Sequence, residues 1–128
     1  MVIDTIISKL GLKKPDIQLK FVSGLVERIE DGIIELPGRA LLDGKQSYKG
    51  VYLIINNGDN KYKLEYPFEL SSYNKRFLVN SNIDYILTKT SQSDDKGRKT
   101  LKLEYELKYY KDDNKFWELL REIYRIVD

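Results

Sequence analysis

Within the stretch KTLKLEYELKYY, residues 99–110, apolar and charged side chains alternate strictly over residues 101–109. Leucine or tyrosine occupies every second position from Leu101 to Tyr109, and lysine or glutamate occupies the positions between them. A period of two over this length is typical of a half-buried β-strand and does not fit a helix. The chain is therefore expected to bury one face of an antiparallel sheet.

A second strand pattern, KYKLEYPFEL at residues 61–70, contains a proline. The preceding run, Val51–Asn56, is separated from it by a turn with Asn57-Gly58, a pair that type I′ hairpin turns prefer. Proline cannot donate a hydrogen bond to a neighbouring strand. Pro67 therefore predicts an edge strand whose pairing bends or ends there, with Phe68 and Leu70 sealing the core.

Further strand signals occur on both sides of this hairpin. Ile17, Leu19 and Phe21 alternate with polar residues after Pro15 and predict a strand that ends near Ser23-Gly24. The run DGIIELPGRALLDG predicts two short strands, or one strand with a bulge at its Pro-Gly. The run RFLVNSNIDYILTKT predicts one or two more.

Helical spacing is confined to the two ends of the chain. Apolar residues at 3, 6, 7 and 10 predict a short amphipathic helix over residues 1–11. A stripe from Phe116 to Val127 predicts a C-terminal amphipathic helix over residues 112–127. With no helix pattern between the strands, parallel βαβ units are excluded. We expect an all-β single domain, residues 1–128, with six to eight strands in an antiparallel β-sandwich over residues 16–110.

Composition limits the chemistry that the chain can perform. None of the 128 residues is histidine or cysteine. Histidine is the commonest general acid or base and the usual zinc ligand, and its absence removes every Ser-His and Cys-His arrangement. No nucleophile or phosphate-loop motif is present. We therefore expect no enzyme activity and no cofactor. Without a secretory signal or an apolar run of 18 residues, the sequence favours a cytoplasmic location.

Acidic residues are candidates for catalytic pairs and for metal ligands. Glu65, Glu69, Glu104 and Glu106 alternate with lysines, which favours solvated cross-strand ion pairs over glycosidase chemistry. The loops NNGDN and SDDKG, residues 56–60 and 93–97, do not match a calcium-binding loop. We expect turns there and no metal site.

Ten tyrosines raise the alternative of single-stranded nucleic-acid binding by an OB-like barrel. Tyr62, Tyr66, Tyr85, Tyr105 and Tyr109 lie in phase with apolar neighbours, which favours the core. Tyr52 and Tyr110 lie opposite that register, and with Lys102 and Lys108 they are the candidate nucleic-acid contacts. The net charge of +2 gives this alternative little support.

Partner binding is the interpretation that remains. The predicted C-terminal helix has a wide apolar arc, so Phe116, Trp117, Leu120 and Tyr124 are candidate protein-binding residues. A sheet edge is the second candidate surface, and homo-oligomers are compatible with both. Small basic clusters at 11–15 and 94–99 leave peripheral membrane contact open, at about 1 kcal/mol per basic residue.

The runs SKLGLKKPDIQLKF and DGIIELPGRALLDGKQSYKGVYLIINN resemble the opening of the arrestin-like β-sandwich family, in particular its sporulation-control branch. Gly32, Gly38 and Gly44 loosely fit the glycine-marked strand pair of that family, and Pro67-Phe68 is similar to its Pro-Phe segment. The resemblance covers roughly residues 8–90. It implies an arrestin/immunoglobulin-like sandwich that acts as a scaffold and presents sheet edges and loops to protein partners, and it transfers no functional residue.

Overall fold

The computed structural model describes residues 16–93, 96–110 and 118–127. Its elements in chain order are β1 (Asp16–Glu35), β2 (Arg39–Ala40), β3 (Ser47–Asn56), β4 (Lys61–Tyr66), α1 (Ser72–Leu78), β5 (Asn82–Ser93), β6 (Lys99–Tyr110) and β7 (Glu118–Val127). All of the strand pairs are antiparallel. The predicted mainly-β antiparallel architecture with six to eight strands is confirmed. The predicted helix over residues 1–11 lies outside the described residues.

The strands form one sheet in the order β2-β7-β6-β5-β1-β3-β4. The described residues thus do not show the two separate sheets expected of a sandwich. The two ends of the sheet nevertheless curl toward each other, since Tyr66 on β4 contacts Tyr105 on β6 edge-on, with ring centroids 6.1 Å apart. The curl lets a single sheet enclose the core.

The curl depends on an exchange of neighbours along β1. Residues Asp16–Leu25 pair with β5, and residues Leu25–Glu35 pair with β3. Leu25 is the residue that pairs on both sides, with Asn82 and with Asn56. A register shift follows between Val26 and Arg28, and such bulges bend a strand and increase its twist. The strand predicted to end near Ser23-Gly24 therefore continues through it.

Gly24 allows β1 to approach β3 closely at this crossing. A Cβ atom there would lie 2.7 Å from the backbone oxygen of Asn56, a distance that real Cβ contacts essentially never show. The glycine that suggested a strand end from sequence instead marks a close backbone approach inside a strand.

The core consists of the side chains that point into the curl. β6 contributes all five apolar residues predicted from its alternation, and the remainder come mainly from β1, β3, β4 and β5. These five are Leu101, Leu103, Tyr105, Leu107 and Tyr109.

Pro67 ends the pairing of an edge strand, as predicted. β4 is the last strand of the sheet and stops at Tyr66. Phe68 and Leu70, which follow, are half-buried and pack against the core. The hairpin between β3 and β4 is also confirmed, but its central residues are Gly58 and Asp59, because the Asn57 N–H donates to the Asn60 carbonyl oxygen across the turn. Of these two central residues only the first, Gly58, has a positive φ, 96°. A positive φ at the first central residue alone is the type II′ pattern, not type I′.

The predicted C-terminal helix over residues 112–127 is wrong where the structure describes it. Residues Glu118–Val127 form strand β7 and pair with β6 over ten consecutive positions, while 112–117 lie outside the described residues. The apolar residues at 119, 120, 123 and 127 fit a helical stripe, but Leu120, Tyr124 and Ile126 also fit a period of two. The segment forms a strand because β6 is available as a pairing neighbour and because the β-branched residues Ile123, Ile126 and Val127 favour strands.

A second correction concerns residues 72–78, part of which was expected to belong to a strand. They form α1, whose N-cap Ser71 accepts a hydrogen bond on its hydroxyl oxygen from the backbone N–H of Asn74, 3.1 Å. Ser, Asn and Lys in this segment gave no period-two signal, and a serine N-cap satisfies one of the free N–H groups of the first turn. β5 begins only at Asn82.

Candidate protein-interaction surface

The first half of β1 is paired on one side only. Within the described part of the chain, Asp16–Gly24 pairs with β5, and no strand pairs with its other side. Half of the backbone N–H and C=O groups along a strand point to each side, so this edge presents a row of groups without strand partners. We name Asp16–Gly24 the open edge.

The open edge exposes large apolar side chains. Ile17, Leu19 and Phe21 keep 60%, 66% and 56% of their surface exposed, while Val22 on the opposite face is buried. These three side chains share one face of β1, because side chains alternate along a strand. The face that they occupy is the outer face of the curled sheet.

Sequence reasoning identified this strand but missed its orientation. Ile17, Leu19 and Phe21 were the residues that gave the strand its period. The buried face, however, continues through Val22 and Val26, at even positions of the chain. Val22 and Val26 are at even positions, whereas Ile17, Leu19 and Phe21 are at odd positions. This difference is the sequence signal that could have placed the three odd residues on the outer face and the two valines in the core.

The neighbouring strands surround the apolar stripe with polar and charged groups. Leu19 lies opposite Thr88 on β5, and Thr88 lies opposite Glu104 on β6. Glu104 accepts a hydrogen bond from Nε of Arg121 on β7, 2.6 Å. The apolar residues of β1 therefore lie at the margin of a charged outer face, directly beside the open edge.

The other sides without a strand partner are better protected against strand addition. β2 covers only Ile126 and Val127 of β7, and along Glu118–Arg125 the exposed Arg121 and Arg125 add charge to the outer face of β7. β4 exposes Lys61, Lys63 and Glu65 and stops before Pro67. β2 has only two residues. Charged side chains, proline and short length are the usual features that block pairing at sheet edges. The open edge of β1 has Pro15 before it in sequence but no charge on its apolar face.

Four of the five tyrosines predicted for the core are buried there, and Tyr62 packs against the core half-buried. Burial raises the pKa of Tyr105 to about 12, because the phenolate would be poorly solvated. Burial also raises the pKa of Tyr66, Tyr85 and Tyr109 above the ordinary range. These phenols are packing groups rather than exposed stacking platforms.

Two of the four candidate partner-binding residues belong to the inner face of β7. Leu120 and Tyr124 are half-buried and pack against the core. The Tyr124 ring stacks on Phe68 with centroids 4.7 Å apart, and it approaches Tyr48 at 4.6 Å. The candidates Phe116 and Trp117 lie outside the described residues. Partner binding by this set stays a prediction, and the open edge does not depend on it.

The candidate nucleic-acid contacts do not converge on one groove. Tyr52 lies on β3, between Glu30 on β1 and Glu65 on β4, and Nζ of Lys63 sits 4.5 Å from its ring centroid. Lys102 lies on β6, which is separated from β3 by two strands, and its Nζ is 3.8 Å from Glu104. Lys108 is exposed on β6, and Tyr110 is the last residue of that strand.

Two of the four candidate carboxylates, both on β6, form ion pairs on the outer face, as predicted. Glu104 and Glu106 both contact Arg121. Glu65 lies on β4, and Glu69 follows that strand near Lys49 in a groove beside α1. Among the described residues, no group of three or more acidic side chains is placed to hold a metal ion.

The described ranges contain no helix that is both long and apolar enough to cross a membrane. Comparisons with protein-family models, with curated proteins and with solved structures find no match to this chain.

Proposed function

We propose that this chain is a non-enzymatic protein-interaction module that accepts an extended segment of a polypeptide as an additional strand beside Asp16–Gly24. The observation that carries the proposal is the coincidence of an unpaired strand side with three exposed apolar side chains on that strand. The open edge supplies backbone groups for affinity, and the apolar stripe supplies contacts for specificity.

Strand addition fits this edge better than a flat apolar contact does. An added strand would lie about 4.8 Å from β1 and bond the backbone groups that β5 leaves free. Its alternate side chains would contact Ile17, Leu19 and Phe21 on the outer face. The ligand class is therefore an extended segment with apolar residues at every second position.

The proposal is tested by selecting peptides that bind the chain, with the chain kept at low concentration. A linear random peptide library displayed on phage is selected on the immobilised chain, and enriched peptides are measured as synthetic peptides by fluorescence anisotropy. We expect alternating apolar sequences whose affinity falls at least about tenfold with Leu19→Lys, because a buried apolar contact is replaced by a charge.

Leu42→Lys is the matched control, since Leu42 is fully exposed in the turn after β2. It should leave peptide affinity unchanged. Amide hydrogen exchange of the complex should slow at residues 17–23. An absence of enriched peptides, or binding that Leu19→Lys does not weaken, would overturn the proposal.

The proposal includes the resemblance to the arrestin-like family. An arrestin-like scaffold role is supported by the mainly-β fold and by a Pro-Phe segment that precedes β5, but fold alone does not define function. No contact in the described structure favours the nucleic-acid alternative. Micromolar or tighter binding to single-stranded DNA or RNA that weakens steeply with salt would favour that alternative against ours.

A further inference from the structure

We infer that the strand taken up by the open edge is the same strand of a second copy of this chain. Two β1 strands pair antiparallel about a two-fold axis through Gln18 and join the two sheets into one. The inference rests on the proposed function, because it names the occupant of the same edge.

The charges along the edge are self-complementary in this arrangement. Asp16 and Lys20 lie at equal distances in sequence from Gln18, so an antiparallel pair centred there sets Asp16 of each copy opposite Lys20 of the other. Both side chains are exposed, and within the described ranges neither forms an ion pair. One symmetric interface therefore contains two opposite-charge pairs directly across from each other.

The apolar stripe is self-complementary about the same axis. Ile17 of each copy lies opposite Leu19 of the other, with all four side chains on the outer face of the joined sheet. Phe21 of each copy flanks this cluster. Aliphatic residues paired across strands add to the stability of a sheet, and here they shield one another from water.

Other registers lose the charge pairing. An axis through Leu19 sets Gln18 opposite Lys20 and Asp16 opposite Val22, so neither charge has an opposite partner directly across. An axis through Lys20 sets the two lysines against each other, which is unfavourable. Parallel pairing in register also places like charges side by side. The axis through Gln18 is the arrangement that satisfies both Asp16 and Lys20.

The short contact predicts a weak dimer. Pairing of Asp16–Lys20 with its copy, together with its flanking side chains, is at the low end of the sizes of specific interfaces. We expect a dissociation constant on the order of 10–100 μM. Sedimentation velocity between about 5 and 500 μM should follow the transition from monomer to dimer.

Charge reversal provides a test that only self-pairing can pass. Asp16→Lys and Lys20→Asp should each weaken the dimer by about tenfold or more, because each places like charges opposite each other twice. Mixed in equal amounts, the two variants should dimerise again, because every pair in the mixed dimer joins a lysine to an aspartate. Native mass spectrometry identifies the mixed dimer by mass.

The double variant Asp16→Lys/Lys20→Asp should also dimerise like the wild type. Lys45→Asp, at an exposed lysine in the turn before β3, is the control and should change nothing. Single variants that dimerise normally, or a mixture that stays monomeric, would overturn the inference.

The outcomes separate this inference from the proposed function. One outcome is a wild-type chain that is monomeric even at about 500 μM, the highest concentration tested, and still selects peptides. That result would overturn the inferred dimer and leave the proposed peptide-binding function intact. A monomer that selects no peptide overturns both.

Discussion

The Tyr85 phenol donates a hydrogen bond to the backbone carbonyl oxygen of Glu65, with 2.7 Å between the two oxygens. Tyr85 lies on β5 and Glu65 on β4, and two strands separate them in the sheet. The bond therefore closes the curl from inside, and it satisfies a carbonyl of an edge strand with a side chain instead of a further strand.

Tyr85→Phe tests the contribution of this bond. Loss of the phenol removes this donor from a part-buried carbonyl, and we expect the free energy of unfolding to fall by about 1–2 kcal/mol. Urea unfolding followed by circular dichroism measures the change. Tyr52→Phe on the outer face is the control and should change stability by less than about 0.5 kcal/mol. Equal effects of the two variants would show that the bond adds nothing.

Stability should decrease in alkaline solution because of the core tyrosines. Burial raises the pKa of Tyr105 and of Tyr124 to about 12, whereas an unfolded tyrosine titrates near 10. The folded state retains protons that the unfolded state has released, so this contribution is complete below about pH 10 and is lost as pH rises toward about 12. Denaturant unfolding at intervals between these values should show a falling free energy of unfolding.

Tyr105→Phe is the comparison for this pH dependence. It removes one shifted phenol, so its stability should fall less steeply with pH than that of the wild type, while lysine deprotonation acts on both chains alike. Parallel curves for the two chains would contradict the assignment.

Gly50 should be intolerant of a side chain. Its Cβ would lie 2.7 Å from Cα of Pro67 and would also meet the backbone oxygen of Tyr66, atoms that a rotamer change cannot move. We expect Gly50→Ala to lower the free energy of unfolding by about 1–3 kcal/mol, as overpacking does. Ser47→Ala, at an exposed position of the same strand, is the control in thermal unfolding. A Gly50→Ala chain as stable as this control would mean that the chain at Pro67 can move away.

Arg121 links β7 to β6 through Glu104, whose side chain is only 14% exposed, and through Glu106. Arg121→Gln should lower the free energy of unfolding by about 0.5–1 kcal/mol, since Arg121 itself is half-exposed and partly screened. The loss should shrink at high salt. Arg125→Gln is the control, because Arg125 lies opposite Lys102 and removal of a like charge should be neutral or favourable. A larger loss for Arg125 would contradict this account.

Strands with strict alternation could be predicted from the sequence, whereas elements that fit two periods could not. β6 and the β3–β4 hairpin follow from alternation, a Gly turn and Pro67, all of which are local signals. β7 could not be separated from a helix, because its strand state depends on pairing with β6, a contact with distant residues. The open edge was hidden for the same reason: the exposure of Ile17 depends on which strands lie beside β1.

The shared strand β1 makes the two halves of the described sheet depend on each other. A fragment that ends after β4 would contain β3 and β4 but would leave Asp16–Leu25 without β5, and a fragment that begins at α1 would contain β5 without its neighbour in β1. Neither fragment could bury the aromatic contacts between β4 and β6. A duplication, fusion or truncation that separates these segments would therefore yield no smaller folded unit.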